Sequence, residues 1–322
     1  MSYANLDPDR VDILHYPDDP APAGWHQPVL ALGNFDGVHR GHAKIIDQVR
    51  RRADEAGATP AALTFDPHPS RVVRPGKAPP LLMTTAQKLG ALVDAGIKGV
   101  AVVRFTRELA GWAPETFVRL VLVEWLRVAE VWVGANFLFG HDRTGNFSLL
   151  RSLGTRYGFR AEKIDPVRYR DFVVSSTRVR RLITEGRVDE AGALLGHHYM
   201  LAGTVTRGAG RGRGMGFPTA NLDTANELLP PNGVYATAVL IDGEIHAAVT
   251  NVGVRPTFGA AGPSVVESHL LDQARELYGA EISVAFITRL RDEVAFADGE
   301  ALGAQIARDC EDARTLFRRI SL

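Results

Sequence analysis

The sequence predicts two domains: an N-terminal α/β domain of Rossmann-like type with a parallel sheet, and a C-terminal antiparallel β-barrel with a C-terminal helix. Three observations predict this fold class. The chain has 322 residues, which is enough for two hydrophobic cores. In its first half, short apolar runs alternate with segments of helical spacing, as in parallel sheets covered by helices. From about residue 200, strand-like runs follow one another and only the last segment has helical spacing.

The apolar runs of the first half have the length of strands, and they are residues 28–33, 60–65, 99–105 and 128–134. Helical spacing separates them, for example at Ile45, Ile46 and Val49 after the first run. Sheets of this kind bind ligands beyond the carboxyl ends of their strands. Residues 33–42 lie in such a position, between the first predicted strand and the first predicted helix.

The second half begins with two strand-like runs joined at Asp242-Gly243, which is a strong hairpin signal. Residues 263–272 and 280–290 predict further strands. A helix follows Asp298, which is suited to cap it, and Cys310 lies on the apolar stripe of this helix as a core residue. The second half is therefore expected to be a barrel that one helix closes.

The predicted domain boundary lies in the helical stretch between the two halves, near Gly186 to Gly196. We assign residues 1–186 to the first domain and residues 187–322 to the second. No internal repeat and no low-complexity segment interrupts either part of the sequence.

Composition excludes several classes of protein. Lys plus Arg and Asp plus Glu both number 37, so no bulk charge attracts nucleic acid or a membrane surface. No apolar run approaches the length of a membrane helix, and the first residues are too polar for a signal peptide. A single cysteine excludes an internal disulfide and a cysteine-based zinc site. We expect a soluble, cytoplasmic protein with small-molecule partners. The sequence does not decide whether the chain forms a homo-oligomer.

The segment GNFDGVHRGH, residues 33–42, allows three interpretations. As a metal pair, His39 and His42 lack a third ligand at recognisable spacing, and as general bases they lack a local serine or cysteine. A phosphate-binding site accounts for every feature of the segment. Gly33 and Gly37 allow the backbone to come close to a ligand, and the following helix presents free N–H groups to an anion. The two imidazoles then donate hydrogen bonds to a phosphorus centre that gains negative charge.

The glycine-rich segment 203–222 has the spacing of neither a dinucleotide-binding fingerprint nor a P-loop. A flexible basic loop is one interpretation of it. The other starts from Thr219 and Asn221, which are two residues apart on an extended strand and share a face, where their oxygens suit Mg²⁺. Glu267 lies between Val265 and His269 on one face of a later strand, and taken alone it fits a solvated side chain.

Four motifs of the first half occur in a characteristic order: GNFDGVHRGH, TFDPHP at 64–69, GANFLFG at 134–140 and SSTRVR at 175–180. Together they resemble the nucleotidylyltransferase motifs of bacterial FAD synthetases. The resemblance implies that Asn136 lies at an FMN site. It also implies an ATP site formed by Gly33, Phe35, Asp36, His39, His42, Ser176, Thr177 and Arg180, in which the two histidines act on the phosphates.

The second half resembles the riboflavin kinase family through GFPTANL, NGVYA, NVGVRPTF, VESHLLD and LYG, in that order. The resemblance implies that Glu267 is the catalytic base and that Thr219 and Asn221 hold magnesium with the nucleotide. It further implies an ATP site made of Gly210, Gly212, Gly216, Pro218, Thr219 and Asn221.

Taken together, the two halves resemble the bacterial bifunctional riboflavin kinases/FAD synthetases. This implies that riboflavin and ATP give FMN, that FMN and a second ATP give FAD and pyrophosphate, and that Mg²⁺ serves both steps. A nucleotidylyltransferase for another phosphorylated acceptor and a non-catalytic flavin or nucleotide sensor are the rival hypotheses. Asp66 stands where many members of the family have glutamate, and no role is assigned to it.

Overall fold

The structure is a computed structural model that describes residues 11–208, 214, 216–257, 260–271 and 275–320. The chain divides into two compact units. Residues up to Pro80 and Thr85–Ser175 belong to the first unit, and Leu81–Thr84 and the residues from Ser176 onward belong to the second. The domain boundary predicted between residues 186 and 187 stays a prediction.

The first unit is built on a parallel sheet whose six described strands lie in the order β1-β4-β3-β2-β5-β8. Every neighbouring pair in this sheet is parallel. Its strands are β1 (Asp12–Tyr16), β2 (Val29–Leu32), β3 (Pro60–Asp66), β4 (Gly99–Arg104), β5 (Glu130–Gly134) and β8 (Arg160–Ile164). Two short hairpins accompany it, formed by β6 (Leu138–Phe139) with β7 (Gly145–Asn146) and by β9 (Arg168–Tyr169) with β10 (Phe172–Val173).

Helices connect the strands of this sheet, and their buried faces form its core. They are α1 (Arg40–Ala56), α2 (Pro69–Val73), α3 (Thr85–Asp94), α4 (Arg107–Ala110), α5 (Pro114–Phe117), a π-helix (Val118–Trp125) and α6 (Phe147–Tyr157), with 3₁₀ turns at Pro75–Lys77 and His141–Arg143. Helix α1 buries the apolar positions that the sequence predicts, including Ile45, Ile46 and Val49. It ends at Gly57, whose left-handed backbone (φ 61°) terminates the helix.

The strand order creates a switch point between β2 and β5. The chain runs from β2 outward to β3 and β4, and then returns to place β5 on the other side of β2. Loops that leave the carboxyl ends of β2 and β5 therefore diverge and open a crevice, where α/β sheets bind ligands. The segment that follows β2 contains the two predicted histidines.

The described strands of the second unit form a closed antiparallel barrel in the order β11-β12-β15-β14-β13-β16. They are β11 (Tyr199–Thr206), β12 (Ala220–Thr224), β13 (Gly233–Ile241), β14 (Glu244–Thr257), β15 (Ala260–Leu270) and β16 (Glu281–Arg291). The helices of this unit are α7 (Ser176–Thr184), α8 (Val188–Leu195) and α9 (Gly299–Phe317). The predicted hairpin at Asp242-Gly243 connects β13 and β14 and is confirmed.

The barrel interior contains a chain of buried hydroxyls among its apolar side chains. Thr237 Oγ1 and Thr250 Oγ1 are 2.7 Å apart, and Thr250 Oγ1 lies 2.8 Å from Ser268 Oγ. All three side chains are almost completely buried. Each hydroxyl therefore has a hydrogen-bonding partner inside the barrel, which removes the cost of burying it alone.

Helix α9 packs on the barrel as predicted. Asp298 caps it, because Oδ1 of Asp298 accepts a hydrogen bond of 2.8 Å from the N–H of Ala301. Cys310 is a buried core residue beside Val234 and Val249 of the barrel. The carboxylate of Asp309 on the same helix is also buried, and Arg291 at the end of β16 binds it bidentately (2.9 and 2.7 Å).

The predicted fold class is confirmed, and the additional findings include two strands of the parallel sheet. Strands β1 and β8 form the two edges of the parallel sheet. Their sequences, DILHY and RAEKI, are not continuous apolar runs, because an edge strand is only partly covered. None of the helices in the described part of the chain has the length and apolar character that crossing a membrane requires.

Candidate active sites

The segment between β2 and α1 is a tight loop with an unusual backbone. Phe35 (φ 51°), Gly37 (φ 87°) and Val38 (φ 35°) all have positive φ, although only one of them is glycine. Side chains disfavour this conformation, so the surrounding structure must hold the loop in place. Phe35 does so, because its ring is fully buried and packs against the ring of His42 (centroids 5.2 Å apart). Any contact of Phe35 with a nucleotide would therefore use its backbone.

The two histidines of this loop are stacked. Their ring centroids are 3.7 Å apart and their planes differ by 11°. His39 is the N-cap of α1, and its Nδ1 accepts a hydrogen bond of 3.3 Å from the backbone N–H of His42. Since Nδ1 of His39 is an acceptor, the proton of the neutral ring lies on Nε2.

Burial favours the neutral form of His42. Desolvation of its ring, followed by the charge of His39, lowers its pKa well below the usual value of 6.5. Its Nδ1 is buried and has no hydrogen-bonding partner among the residues that the structure describes. The pair can thus offer polar nitrogen atoms to an anion without two adjacent positive charges, at a helix N-terminus that also attracts anions.

The other predicted residues of this site lie at the same edge of the sheet or in the second unit. Asn136 is exposed in the turn after β5, next to the switch point, while Asp36 is buried in the loop after β2. Gly33 is packed closely, because a Cβ there would lie 3.3 Å from the Phe35 ring. The structure brings these residues to the carboxyl edge of β2 and β5, together with both histidines.

Ser176, Thr177 and Arg180 belong to the second compact unit. Ser176 and Thr177 form the first turn of α7, and Arg180 follows one turn later. Val179, Leu182 and Ile183 bury the opposite stripe of this helix. The hydroxyls and the guanidinium therefore lie away from the buried face, as binding to an anion would require.

The barrel unit contains an open pocket. Its lining combines the predicted Pro218, Thr219 and Asn221 with residues that the sequence analysis did not assign, namely Val205, Gly208, Ala220, Ser268, Leu270, Arg275, Glu276, Leu277 and Tyr278. Oxygen and nitrogen atoms and an exposed aromatic ring thus surround one cleft at the start of β12.

Asn221 is the most constrained side chain of this pocket. It is 7% exposed, and its Oδ1 has no hydrogen-bonding partner among the described residues. Gly208 packs directly over it, since a Cβ at this position would collide with the Asn221 amide. A buried, unpaired carbonyl oxygen is costly unless a ligand completes it, and this hard oxygen fits Mg²⁺.

Glu267 lies beside Asn221 in the barrel wall. The two residues are directly opposite each other in the β12–β15 pair, and Asn251 is opposite Glu267 on the other side, in the β14–β15 pair. Directly opposed residues point to the same face of a sheet. The structure therefore brings a carboxylate between two amides on one face of the barrel wall, while the buried Ser268 lies on the opposite face.

Three glycines and Pro218 are the remaining residues of the ATP site that the sequence predicts in the second half. Gly210 and Gly212 lie outside the described residues. Gly216 has a left-handed backbone (φ 85°), which suits glycine. Pro218 is held by His269, whose Nδ1 donates to the Pro218 carbonyl (2.8 Å).

The sequence analysis assigned no role to Arg275 or Tyr278, which line the pocket. Tyr278 is 41% exposed, and the Arg207 guanidinium lies 5.4 Å from its ring centroid. Arg275 also forms an ion pair of 2.8 Å with Asp242. The signal in the sequence was an aromatic residue in a polar segment between two strands, which is the usual composition of a ligand loop.

Comparison with known proteins assigns both units to families. A family model described as FAD synthetase matches residues 21–178, and one described as riboflavin kinase matches residues 195–317. A crystal structure described as a macrolide-efflux protein from Streptococcus pneumoniae has a TM-score of 0.84 and 25% identity, covering 94% of this chain and 99% of that chain. That description applies to the Streptococcus protein; the similarity to it supports the fold.

Whole-chain relatives share the order of the two domains. The bifunctional riboflavin kinase/FMN adenylyltransferase of Pseudomonas fluorescens is 38% identical over 288 residues, which cover 89% of this chain and 92% of that protein. The protein of the same name from Escherichia coli K12 is 38% identical over 90% of this chain and 92% of that protein. The protein from Bacillus subtilis is 34% identical over 91% of this chain and 93% of that protein. The chain belongs to the family of bifunctional riboflavin kinase/FMN adenylyltransferases and contains a FAD synthetase domain followed by a riboflavin kinase domain.

Proposed function

We propose that this chain phosphorylates riboflavin with ATP to FMN in its second domain, residues 187–322. Its first domain, residues 1–186, then joins FMN to the AMP portion of a second ATP and releases pyrophosphate. The observation that carries the proposal is the row formed by Asn221 and Glu267, in which a carboxylate lies directly opposite an amide that lines the pocket.

In the kinase reaction, Glu267 accepts the proton of the ribityl hydroxyl as its oxygen attacks the γ-phosphorus of ATP. The bond between the γ-phosphorus and the bridging oxygen breaks, and ADP leaves. Asn221 and Thr219 would hold Mg²⁺ with the nucleotide, which supplies neutralisation of phosphate charge when it is bound. The glycine loop, with Gly210, Gly212 and Gly216, and Pro218 would complete the ATP site.

In the adenylyltransferase reaction, a phosphate oxygen of FMN attacks the α-phosphorus of ATP, and the bond to the pyrophosphate breaks. The substrate itself is the nucleophile, so no side chain needs to form a covalent intermediate. Nε2–H of His39 and the neutral ring of His42 would donate to the phosphate oxygens as charge develops on them. The N-terminus of α1 adds free N–H groups to this site.

We infer the other ligand contacts of this site from the family motifs. Asn136 would bind FMN at the end of β5, and Ser176, Thr177 and Arg180 would bind the triphosphate. Gly33, Phe35 and Asp36 would shape the ATP site from the loop after β2. We propose the cytoplasm as the place of action, which fits the buried free thiol of Cys310, and small molecules as the partners.

The test is an incubation with riboflavin, ATP and MgCl₂, in which flavins are separated at successive times. FMN should appear first and then give way to FAD, while a parallel reaction with EDTA should form neither product. If riboflavin is untouched but added FMN becomes FAD, the kinase assignment is wrong. Adenylylation of another phosphate ester with no use of FMN would contradict the assignment of the first domain, and flavin binding without turnover would favour a sensor.

A further inference from the structure

An arginine lies in the wall of the barrel pocket. Arg275 lines this pocket together with Thr219 and Asn221, for which the family resemblance implies a magnesium–nucleotide site. Among the described residues of the lining, Arg275 is the only one with a positive charge, and its neighbour Glu276 contributes a negative charge. ATP carries more negative charge than one Mg²⁺ neutralises, so a pocket that binds it needs a further cation.

The guanidinium of Arg275 is held by an exposed carboxylate. One of its terminal nitrogens lies 2.8 Å from Oδ2 of Asp242, and the two side chains are 45% and 70% exposed. An ion pair in such a position contributes little to stability, so another anion can replace the carboxylate at small cost. Phosphate suits this exchange, because the planar guanidinium donates two parallel hydrogen bonds to its oxygens.

Asp242 keeps its carboxylate in a defined place. It is the first residue of the two-residue turn between β13 and β14, which the pair of Ile241 and Glu244 closes. Asp242 and Gly243 both have positive φ (51° and 88°), a backbone that Asp, Asn and Gly accept in hairpin turns. The hairpin therefore presents one carboxylate to Arg275 when no nucleotide is bound.

The segment that carries Arg275 is also joined to β11. The N–H of Gly279 donates to the carbonyl of Val205, and the N–H of Val205 donates to the carbonyl of Ala280, both over 2.9 Å. Leu277 is buried between these bonds and Arg275, and Val205 itself lines the pocket. Both the backbone of this segment and the guanidinium near its start are thus held at the pocket.

We propose that Arg275 is a phosphate-binding residue of the kinase site, whose guanidinium exchanges the carboxylate of Asp242 for phosphate oxygens of ATP. The exchange leaves Asp242 in solvent, where most of its side chain already lies. Without Arg275, the only charged side chain of the described lining would be Glu276, which repels a polyanion. This inference rests on the proposed function of the second domain.

The experiment compares Arg275→Gln, which removes the charge, with Arg275→Lys, which keeps the charge without the planar group. The KM for ATP and the inhibition constant of ADP are measured with riboflavin as acceptor. Both constants should rise at least fivefold in Arg275→Gln, and the lysine variant should lie between it and the wild type. Arg308→Gln, the same change at an exposed position of α9, is the matched control and should stay within twofold of the wild type.

Asp242→Asn separates phosphate binding from support of the loop. Asparagine keeps the turn but removes the charge that holds the guanidinium. Because Arg275 is then released and not lost, the KM for ATP should fall or stay within twofold of the wild type. A rise of less than fivefold in Arg275→Gln, an equal rise in Arg308→Gln, or a rise above twofold in Asp242→Asn would overturn the inference. If thermal melting shows that Arg275→Gln does not fold, Asp242→Asn decides by the same limit.

The outcome for the wild type keeps the two proposals apart. A wild-type chain that forms no FMN from riboflavin, ATP and Mg²⁺ refutes the proposed function of the second domain before any variant is made. A wild-type chain that forms FMN, with an unchanged KM for ATP in Arg275→Gln, refutes only the role of Arg275. The KM for ATP with FMN as acceptor should stay at the wild-type value in every variant, and a parallel rise would contradict the assignment of Arg275 to the kinase pocket.

Discussion

Asn221 on β12 and Glu267 on β15 lie directly opposite each other in the barrel wall, so both side chains leave the same face. Asn221 is buried, and its Oδ1 has no hydrogen-bonding partner among the described residues, whereas Glu267 is half-buried. The proposed ligand of the metal-nucleotide complex and the proposed proton acceptor are thus neighbours, which is the separation of tasks that phosphoryl transfer needs.

The first prediction concerns Glu267. Glu267→Gln keeps the size of the side chain but removes the proton acceptor, so the rate of riboflavin phosphorylation should fall by a factor of about 10² or more. FMN adenylylation should keep its wild-type rate, because His39 and His42 lie in the other compact unit. Both rates are measured on one preparation by separating the flavin products.

The matched control for Glu267 is Glu244→Gln, an equivalent change in the exposed carboxylate at the start of β14. Its kinase rate should stay within twofold of the wild type. Equal losses in the two variants, or the loss of both activities in Glu267→Gln, would contradict the role of Glu267 as the base.

The second prediction concerns Gly208. A Cβ at this position collides with the amide of Asn221, so Gly208→Ala should displace that side chain and raise the KM for ATP in the kinase reaction at least tenfold. Gly303→Ala on α9 is the control, because open space surrounds this glycine. Steady-state kinetics with riboflavin as acceptor measure both. An unchanged KM for Gly208→Ala would show that Asn221 does not set nucleotide affinity.

The third prediction is a dependence of stability on pH. The pKa of His42 lies well below 6.5 in the folded protein, so below pH 6.5 the unfolded chain binds a proton that the folded chain does not. The contribution of His42 to the free energy of unfolding is therefore complete above pH 6.5. Below pH 6.5 the free energy of unfolding falls by about 1.4 kcal/mol per pH unit because of this group.

Urea unfolding of the wild type and of His42→Asn between pH 7.5 and 5 measures this effect. The variant should have lower stability at pH 7.5 but a shallower decrease toward pH 5, because the buried imidazole is absent. Parallel decreases in the two proteins would mean that other groups control the acid sensitivity.

The fourth prediction concerns the ion pair that fastens α9. Asp309 is 4% exposed and Arg291 is 21% exposed, and removal of the carboxylate leaves the guanidinium without its partner. Asp309→Ala should lower the free energy of unfolding of the barrel unit by about 3 kcal/mol. Asp312→Ala, an exposed change on the same helix, should cost less than about 0.5 kcal/mol. Thermal and urea unfolding measure both variants, and equal values would contradict the importance of the pair.

The sequence predicted most elements of the fold because their residues are buried in simple patterns. Strands β2, β3, β4 and β5 are continuous apolar runs, and the hairpin between β13 and β14 has its turn residues at Asp242-Gly243. The edge strands β1 and β8 lack such runs because one side of each is open. Their place in the sheet depends on pairing with β4 and β5, which no local pattern records.

The candidate sites were predictable where a motif is continuous and not where distant segments meet. The spacing of His39 and His42 predicts a position at a helix start, but their stacking and the capping role of His39 depend on the tight loop. The opposition of Asn221 and Glu267 likewise depends on strand register, since 45 residues of sequence separate them.

The hydroxyl chain of Thr237, Thr250 and Ser268 helps to fix the register of β15 in the barrel. Side chains alternate along β15, so a slip of one residue would turn Glu267 inward and Ser268 outward. Thr250 would then lose Ser268 and keep only Thr237 as a hydroxyl partner, next to a carboxylate in an apolar interior. The buried hydroxyls therefore favour the register of β15 in which Glu267 lies opposite Asn221.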